Sequence, residues 1–466
     1  MRLVVVGTGM AGARVVSDVR ARSRDIRVTV FGAETWQPYN RVLLSNVLAG
    51  TATPDNVRLH DQAWYAEHGV TAVLGTEVTA IDRDCRTVLT ADGRREPYDV
   101  LVLATGSEPF VPPIPGAELG LPFRTLGDCE KIIQAAGRAR RAVVVGGGLL
   151  GIEAARGLAG RGLPVTLLHL AGHLMERQLD AEAGLVLGET LTALGVEVRT
   201  GAEVTAITEA GVEVTGGLVE GDLVVLACGV RPVVGLAREA GLHVERGVVV
   251  DDEMRTDDPA IFAIGECAQH DGQVYGLVAP CWEQAAIVAD LITGADTAAR
   301  YRGSRLVTRL KARSVELAAM GETHLTEDDA EIVRFSHRRT GTYRKLVIRD
   351  GRLVGAILVG ESAAVGTLTQ LYDRGVPLPG DRASLIFPGL AAAAPVADSP
   401  VRMPDSAKVC RCNNVTKGQV RACWEEGARD LAAVAAATRA TTGCGGCADA
   451  VAGIVGWLCE QEEINA

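Results

Sequence analysis

LVVVGTGMAGARVVSDVRAR, residues 3–22, sets three grammars in direct succession. An aliphatic strand (3–6) runs into the turn Gly7-Thr8-Gly9-Met10-Ala11-Gly12, and a helix-forming segment (13–22) follows. AVVVGGGLLGIEAARGLA, residues 142–159, repeats the pattern: a strand (142–145), the turn Gly146-Gly147-Gly148-Leu149-Leu150-Gly151, then a helix (152–159). Each copy leads into another apolar strand, 28–31 and 165–168. That order is the βαβ unit of a dinucleotide-binding fold. The glycines are required because a Cβ would block the turn and hold the backbone away from a pyrophosphate. The following helix then offers its N-terminal amides and positive dipole end to that charge. One copy is a weak signal. Two copies in the same context predict two dinucleotide sites.

Working outward, two further strands end in glycine, 100–106 (VLVLATG) and 223–229 (LVVLACG), and a third runs 260–266 (AIFAIGE). Residues 345–359 read as a hairpin around Asp350-Gly351. AAAAPVADSPVRMPDSA (391–407) reads as a linker, and a small cysteine-bearing module closes the chain. The expected fold is α/β. Two interleaved Rossmann-like domains (1–120 with 240–300, and 121–239) precede an α+β domain (301–390), the linker (391–407) and a small helical domain (408–458).

Composition agrees. At ~150 residues per domain, 466 residues predict about three domains. There are 54 glycines, above the typical ~7%, as many tight turns require. A net charge of −11 argues against a nucleic-acid partner. No apolar run reaches the ~18 residues of a membrane helix, and the N-terminus goes straight into the glycine turn, without a secretory leader. The expectation is a cytoplasmic protein with no membrane partner; oligomeric state stays open. Eleven cysteines then read as reduced thiols or metal ligands.

An acid after the second strand of each unit would hold a ribose 2′-hydroxyl. Glu34 fills that place in the first unit; the second has His169 instead. NADH and NADPH therefore both stay open. Arg41 is a further candidate contact, since a planar guanidinium suits phosphate or ring stacking. No Ser/His/Asp or H-E-x-x-H pattern points to hydrolysis. His169 and His173 fall in a loop context rather than on a metal-binding helix.

Four cysteines fall as Cys410-Arg-Cys412 and Cys444-Gly-Gly-Cys447. Two close pairs converging on one centre suit a [2Fe–2S] cluster or a tetrahedral zinc. A helix over 417–437 would bring the two loops together. Cys423 and Cys459 lack short-range partners and read as core thiols. Cys85, Cys129, Cys228, Cys267 and Cys281 read as structural.

GTGMAG, LVLATGSEP, VVVGGGLLGIEAA, LACGVRP and IFAIGEC together resemble the FAD- and NAD(P)-binding pyridine-nucleotide oxidoreductases of the glutathione-reductase type. The resemblance implies that the first unit binds FAD, through Gly7, Gly9, Met10, Ala11, Gly12, Glu34, Arg41, Thr105, Gly106, Gly265 and Glu266. It implies that the second binds NAD(P)H, through Gly146, Gly148, Leu149, Leu150, Gly151, Glu153, His169 and Gly229. Glu266 stands where that family has Asp on the flavin ribityl chain, and Glu153 where it has the Glu at the nicotinamide end. The family's flavin-proximal C-x4-C is absent: residues 39–46, YNRVLLSN, hold no cysteine, and Asn46 stands where ferredoxin-reductase relatives often have Lys.

CRCNNVTKG and TGCGGC resemble the [2Fe–2S] domain of bacterioferritin-associated ferredoxin, also present in NAD(P)H nitrite reductase large subunits and assimilatory nitrate reductase electron-transfer subunits. VFGAETWQPYNRVLLS and HLMERQLD extend that narrower resemblance over nearly the whole chain. It implies a [2Fe–2S] cluster on Cys410, Cys412, Cys444 and Cys447, and a nitrate or nitrite reductase catalytic subunit as partner. It also implies an NAD(P)H-dependent electron-transfer oxidoreductase whose chemistry belongs to its cofactors. Since the chain lacks the sirohaem half, it is not expected to reduce nitrite by itself. The alternatives are a reductase for another acceptor such as a ferredoxin, or a zinc- or cluster-bearing redox sensor. The linker is expected to let the cluster domain swing between flavin and partner.

Overall fold

The computed structural model describes residues 1–310, 312, 314–360, 364–387, 403–443 and 445–465, and side chains to residue 462. The first glycine unit builds a five-stranded parallel sheet in the order Ile261–Ala263, Val100–Leu103, Arg2–Val6, Arg27–Gly32, Val70–Leu74. The second builds an equivalent sheet in the order Val196–Thr200, Val165–His169, Ala142–Val145, Leu223–Leu226, Leu121–Pro122. Their central strands are buried on both faces, so they read as continuous apolar runs rather than alternating ones. Both glycine turns leave the C-terminal end of a central strand, where open α/β sheets bind ligands.

Both turns are tighter than a strand–loop–helix reading expects. The first helix is Met10–Arg22, capped by Gly9, and the second Leu149–Gly160, capped by Gly148. Each helix therefore starts inside its motif, ahead of residues 13 and 152. The third glycine of each motif makes this possible. A Cβ on Gly12 would sit 1.9 Å from the Gly7 carbonyl oxygen, and one on Gly151 1.8 Å from that of Gly146.

Beyond the nucleotide units, five antiparallel strands form one sheet in the order Val307–Arg309, Leu317–Gly321, Arg352–Val359, Thr342–Arg349, Glu331–His337. Asp350 (φ 50°) and Gly351 (φ 67°) turn its central hairpin, both left-handed as a two-residue hairpin turn needs. Helix Val365–Arg374 covers one face, while Leu317, Ala319, Tyr343, Ile357 and Val359 join the core of the second nucleotide unit.

The C-terminal module has a short strand pair, Lys408–Cys410 with Val415–Thr416, and three helices. The segment expected as one helix over 417–437 is two, Lys417–Glu425 and Leu431–Thr438. Gly427 (φ 112°) breaks it, and Asp430 caps the second helix through the Ala433 amide. Most of the expected linker, 391–402, lies outside the described residues. Among the described residues no helix is long and apolar enough to cross a membrane.

Candidate functional site

One cavity of about 1700 Å³ joins the parts of the molecule that the sequence singles out. Gly7, Gly9, Met10, Ala11, Glu34, Arg41, Thr105, Gly106 and Glu266 line it from the first unit. Leu149, Leu150 and Glu153, on the first turns of the second unit's helix, line it from another side. Cys410, Cys412 and Cys447 line it from the C-terminal module. Gly12, Gly146, Gly148, Gly151, His169, Gly229 and Gly265 do not line it; at Gly12, Gly146, Gly151 and Gly265 the missing Cβ lets backbone or side chain pack closely. Gly148 and Gly229 have no atom within 4 Å of the place a Cβ would take. Cys444 lies outside the described residues.

The first glycine turn is an open cradle. Gly7 has φ +114°, and a Cβ there would meet the Ala104 oxygen at 2.1 Å. At Gly9 the nearest atom to a Cβ is Arg41 Nε, at 3.9 Å. Gly7 is thus required by the protein's own packing, whereas Gly9 faces free space at the start of a 13-residue helix. Free backbone amides at a helix N-terminus suit a phosphate.

Charged side chains form the polar wall. The Tyr39 hydroxyl donates to Glu34 (2.7 Å), and Arg41 is ion-paired with Glu34 while also donating to the Arg124 carbonyl (3.3 Å). Burial pushes the Tyr39 phenol well above its ordinary range, so it stays a donor. Glu266 pairs with Arg124 and accepts from Ser107 Oγ at 2.9 Å; Arg124 also donates to Ser107 Oγ at 2.8 Å. Arg124 and Ser107 escape sequence reading, because neither belongs to a motif and Arg124 is 142 positions from Glu266. Ser45 escapes it too. It is 4% exposed, lines the cavity, and its Oγ has no partner among the described residues; Asn46 Oδ1 is in the same state. Unpartnered buried polar atoms facing a cavity are what a polar heterocyclic ligand would satisfy.

His169 ends its strand buried, at 9% exposure, with both ring nitrogens engaged. The Gly147 amide donates to Nδ1 (3.0 Å), and Nε2 meets Glu176 Oε2 at 2.9 Å.

The thiols differ sharply from one another. Burial pushes Cys129, Cys228, Cys267, Cys281 and Cys423 up, as inert core thiols. Cys410 is pushed well down by hydrogen bonds from Cys412 and Cys447, assisted by the Asn413 and Thr441 amides. Cys410 and Cys412 place their sulfurs 3.6 Å apart. Two thiolates on one tetrahedral metal at ~2.3 Å would stand ~3.8 Å apart. Cys447 Sγ accepts from the Thr441 amide at 3.2 Å. Gly443 is needed because a Cβ there would fall 2.3 Å from Cys412 Sγ. A thiolate set ringed by backbone N–H donors fits an iron–sulfur centre, whose sulfurs accept such bonds.

The module is held against the rest of the chain by specific bonds. Trp282, buried in helix Val278–Thr293, donates from Nε1 to the Cys412 carbonyl at 3.2 Å. Lys408 pairs with Glu283 at 2.6 Å, and Arg439 donates to the carbonyls of Arg58 and Leu59, both at 3.1 Å. Arg309 donates to the Gly446 carbonyl at 3.2 Å, and Arg411 is paired with Asp373.

Residues 1–285 match the family model of the pyridine nucleotide-disulphide oxidoreductases. Residues 307–375 match the rubredoxin NAD+ reductase C-terminal domain, and residues 408–457 the BFD-like [2Fe-2S] binding domain. The nitrite reductase [NAD(P)H] of Bacillus subtilis (strain 168) is 39% identical over 455 residues, 96% of this chain and 56% of that protein. The assimilatory nitrate reductase electron transfer subunit of the same organism is 36% identical over 472 residues, 99% of this chain and 60% of that protein. The chain thus spans little more than half the length of these relatives. Among solved structures, the covalent putidaredoxin reductase–putidaredoxin complex is similar at 28% identity and TM-score 0.75, over 84% of this chain and 99% of that one.

Proposed function

The chain belongs to the pyridine nucleotide-disulphide oxidoreductase family, and from that premise we propose that it carries electrons from NAD(P)H through FAD to a [2Fe–2S] centre, for a nitrite or nitrate reductase catalytic unit. The observation that carries this reading is the single cavity bounded by the first glycine turn, the head of the second unit's helix and the cysteine loops. A hydride donor, a two-electron acceptor able to release single electrons, and a one-electron carrier supply the redox chemistry when bound. The protein's part is to hold them in line.

In this reading the Gly7–Gly12 turn and the Met10–Arg22 helix take the FAD pyrophosphate, with Glu34 on the adenosine ribose. Ser45, Asn46, Ser107, Arg124 and Glu266 serve the remainder of that ligand. The Gly146–Gly151 turn takes the nicotinamide dinucleotide, and Leu149, Leu150 and Glu153 face its redox end. Cys410, Cys412, Cys444 and Cys447 hold the cluster. Trp282 and the Lys408–Glu283 pair keep the cysteine loops on the cavity wall. With no cysteine in residues 39–46, the protein has no disulfide there to accept electrons, so the cysteine module on the same cavity is the exit.

The test is direct. Anaerobically purified protein should be yellow-brown, bleach with NADH or NADPH, and show a reduced [2Fe–2S] signal in electron spin resonance. It should drive nitrite or nitrate reduction when the catalytic unit is added. Colourless protein holding zinc sinks the reading, as does a flavin that bleaches while the cluster stays oxidised.

A further inference from the structure

The second nucleotide unit lacks an acid at the end of its second strand, yet the fold delivers a carboxylate to that place. Met175 adopts a left-handed backbone (φ 53°) and is pinned there by its amide, which donates to the Gly147 carbonyl at 3.0 Å. Leu174 and Met175 are fully buried beneath the turn. This brings the next residue, Glu176, back onto His169, with Oε2 2.9 Å from Nε2. Because the Gly147 amide donates to Nδ1, Nδ1 is unprotonated in the neutral ring, and the proton sits on Nε2, where it donates to Glu176. One carboxylate oxygen is thereby fixed and the other is left outward on a side chain that is 39% exposed. Leu170, the residue after His169, is 70% exposed and offers an apolar platform beside it. The nearby Arg199 is occupied by Glu197 at 2.7 Å.

We infer that Glu176, oriented by His169, is the residue that selects NADH over NADPH. Its free oxygen accepts from the adenosine ribose 2′-hydroxyl, while a 2′-phosphate meets a fixed negative charge. His169 is a positioning residue, and Leu170 takes one face of the adenine. The inference rests on the second glycine turn holding the nicotinamide dinucleotide.

The experiment uses the holoprotein and equilibrium binding, not turnover. ADP-ribose and its 2′-phosphate, and NAD+ and NADP+, are titrated by calorimetry against the parent and Glu176→Gln. The parent should bind each non-phosphorylated ligand at least about tenfold more tightly than its 2′-phosphate partner. Glu176→Gln should shrink that ratio about tenfold or more, with unchanged melting temperature and FAD content, and Glu176→Asp should keep part of it. A parent that binds the 2′-phosphates as well or better overturns the inference. So does a ratio unmoved by Glu176→Gln. If no nucleotide binds while FAD is present, the assignment of the second turn fails instead.

Discussion

Gly148→Ala separates what the second glycine turn does for the fold from what it does for a ligand. Gly148 has φ −82° and ψ −176°, ordinary extended backbone that alanine adopts without strain. No atom lies within 4 Å of the place its Cβ would take. The folded protein should therefore tolerate the methyl, with stability inside the ~0.5 kcal/mol typical of neutral sites. A bound pyrophosphate is different, because it must approach that backbone closely at the head of helix Leu149–Gly160. A methyl there displaces at least one charge-assisted amide–phosphate bond, worth ~1.5–3 kcal/mol. That predicts nicotinamide dinucleotide binding weaker by about 10- to 150-fold. Gly151→Ala is the contrasting variant. Its Cβ would lie 1.8 Å from the Gly146 oxygen, so it should lower the melting temperature as well. The assay is calorimetric titration of NAD+ beside thermal unfolding, with FAD content measured on the same samples. An unchanged NAD+ affinity in Gly148→Ala would refute the assignment of this turn. A large loss of stability would refute the claim that the glycine serves the ligand.

Trp282→Phe keeps an aromatic ring in place but takes from the Cys412 carbonyl its 3.2 Å donor, a hydrogen bond worth ~0.5–1.5 kcal/mol. The cluster's spin-resonance signal should shift and its reduction slow, with hydride-driven flavin bleaching unchanged; an identical spectrum and rate would count against the contact. Cys412→Ala should abolish the cluster signal and keep FAD, as measured by iron content and absorption, and retained iron would count against the ligand set. His60 is held at about 4 rather than 6.5, by burial first and then by Arg439 of the docked module. It is neutral in the folded protein, so its contribution is complete above pH ~6.5. It is lost as pH falls towards about 4, where the unfolded chain takes a proton that the fold refuses. His60→Gln should flatten the fall in melting temperature between pH 7 and pH 4.5, and an equal slope in both proteins would remove His60 from that role.

The two βαβ units were legible because their determinants are local. Six consecutive residues carry each turn, and a Cβ on Gly12 or Gly151 would strike the carbonyl of the turn's own first glycine; only at Gly7 and Gly146 does the clash come from elsewhere, from the Ala104 and Ala227 oxygens. The cysteine pairs were legible for the same reason: Cys410 and Cys412 meet at 3.6 Å because only Arg411 separates them. Local pattern misled where one residue changes the backbone. Gly427 splits a stretch whose composition is helical throughout, and left-handed Met175 returns an acid to His169 that strand-end counting misses. Arg124 on Glu266 and Trp282 on Cys412 link residues 142 and 130 positions apart. No spacing rule reaches across that distance, because such pairs depend on how separate sheets and helices pack. The sequence by itself determined which ligand chemistries this protein can hold. Only the tertiary structure decided that the first glycine turn, the head of the Leu149–Gly160 helix and the cysteine loops line one cavity, since that depends on how elements far apart in the chain pack against each other.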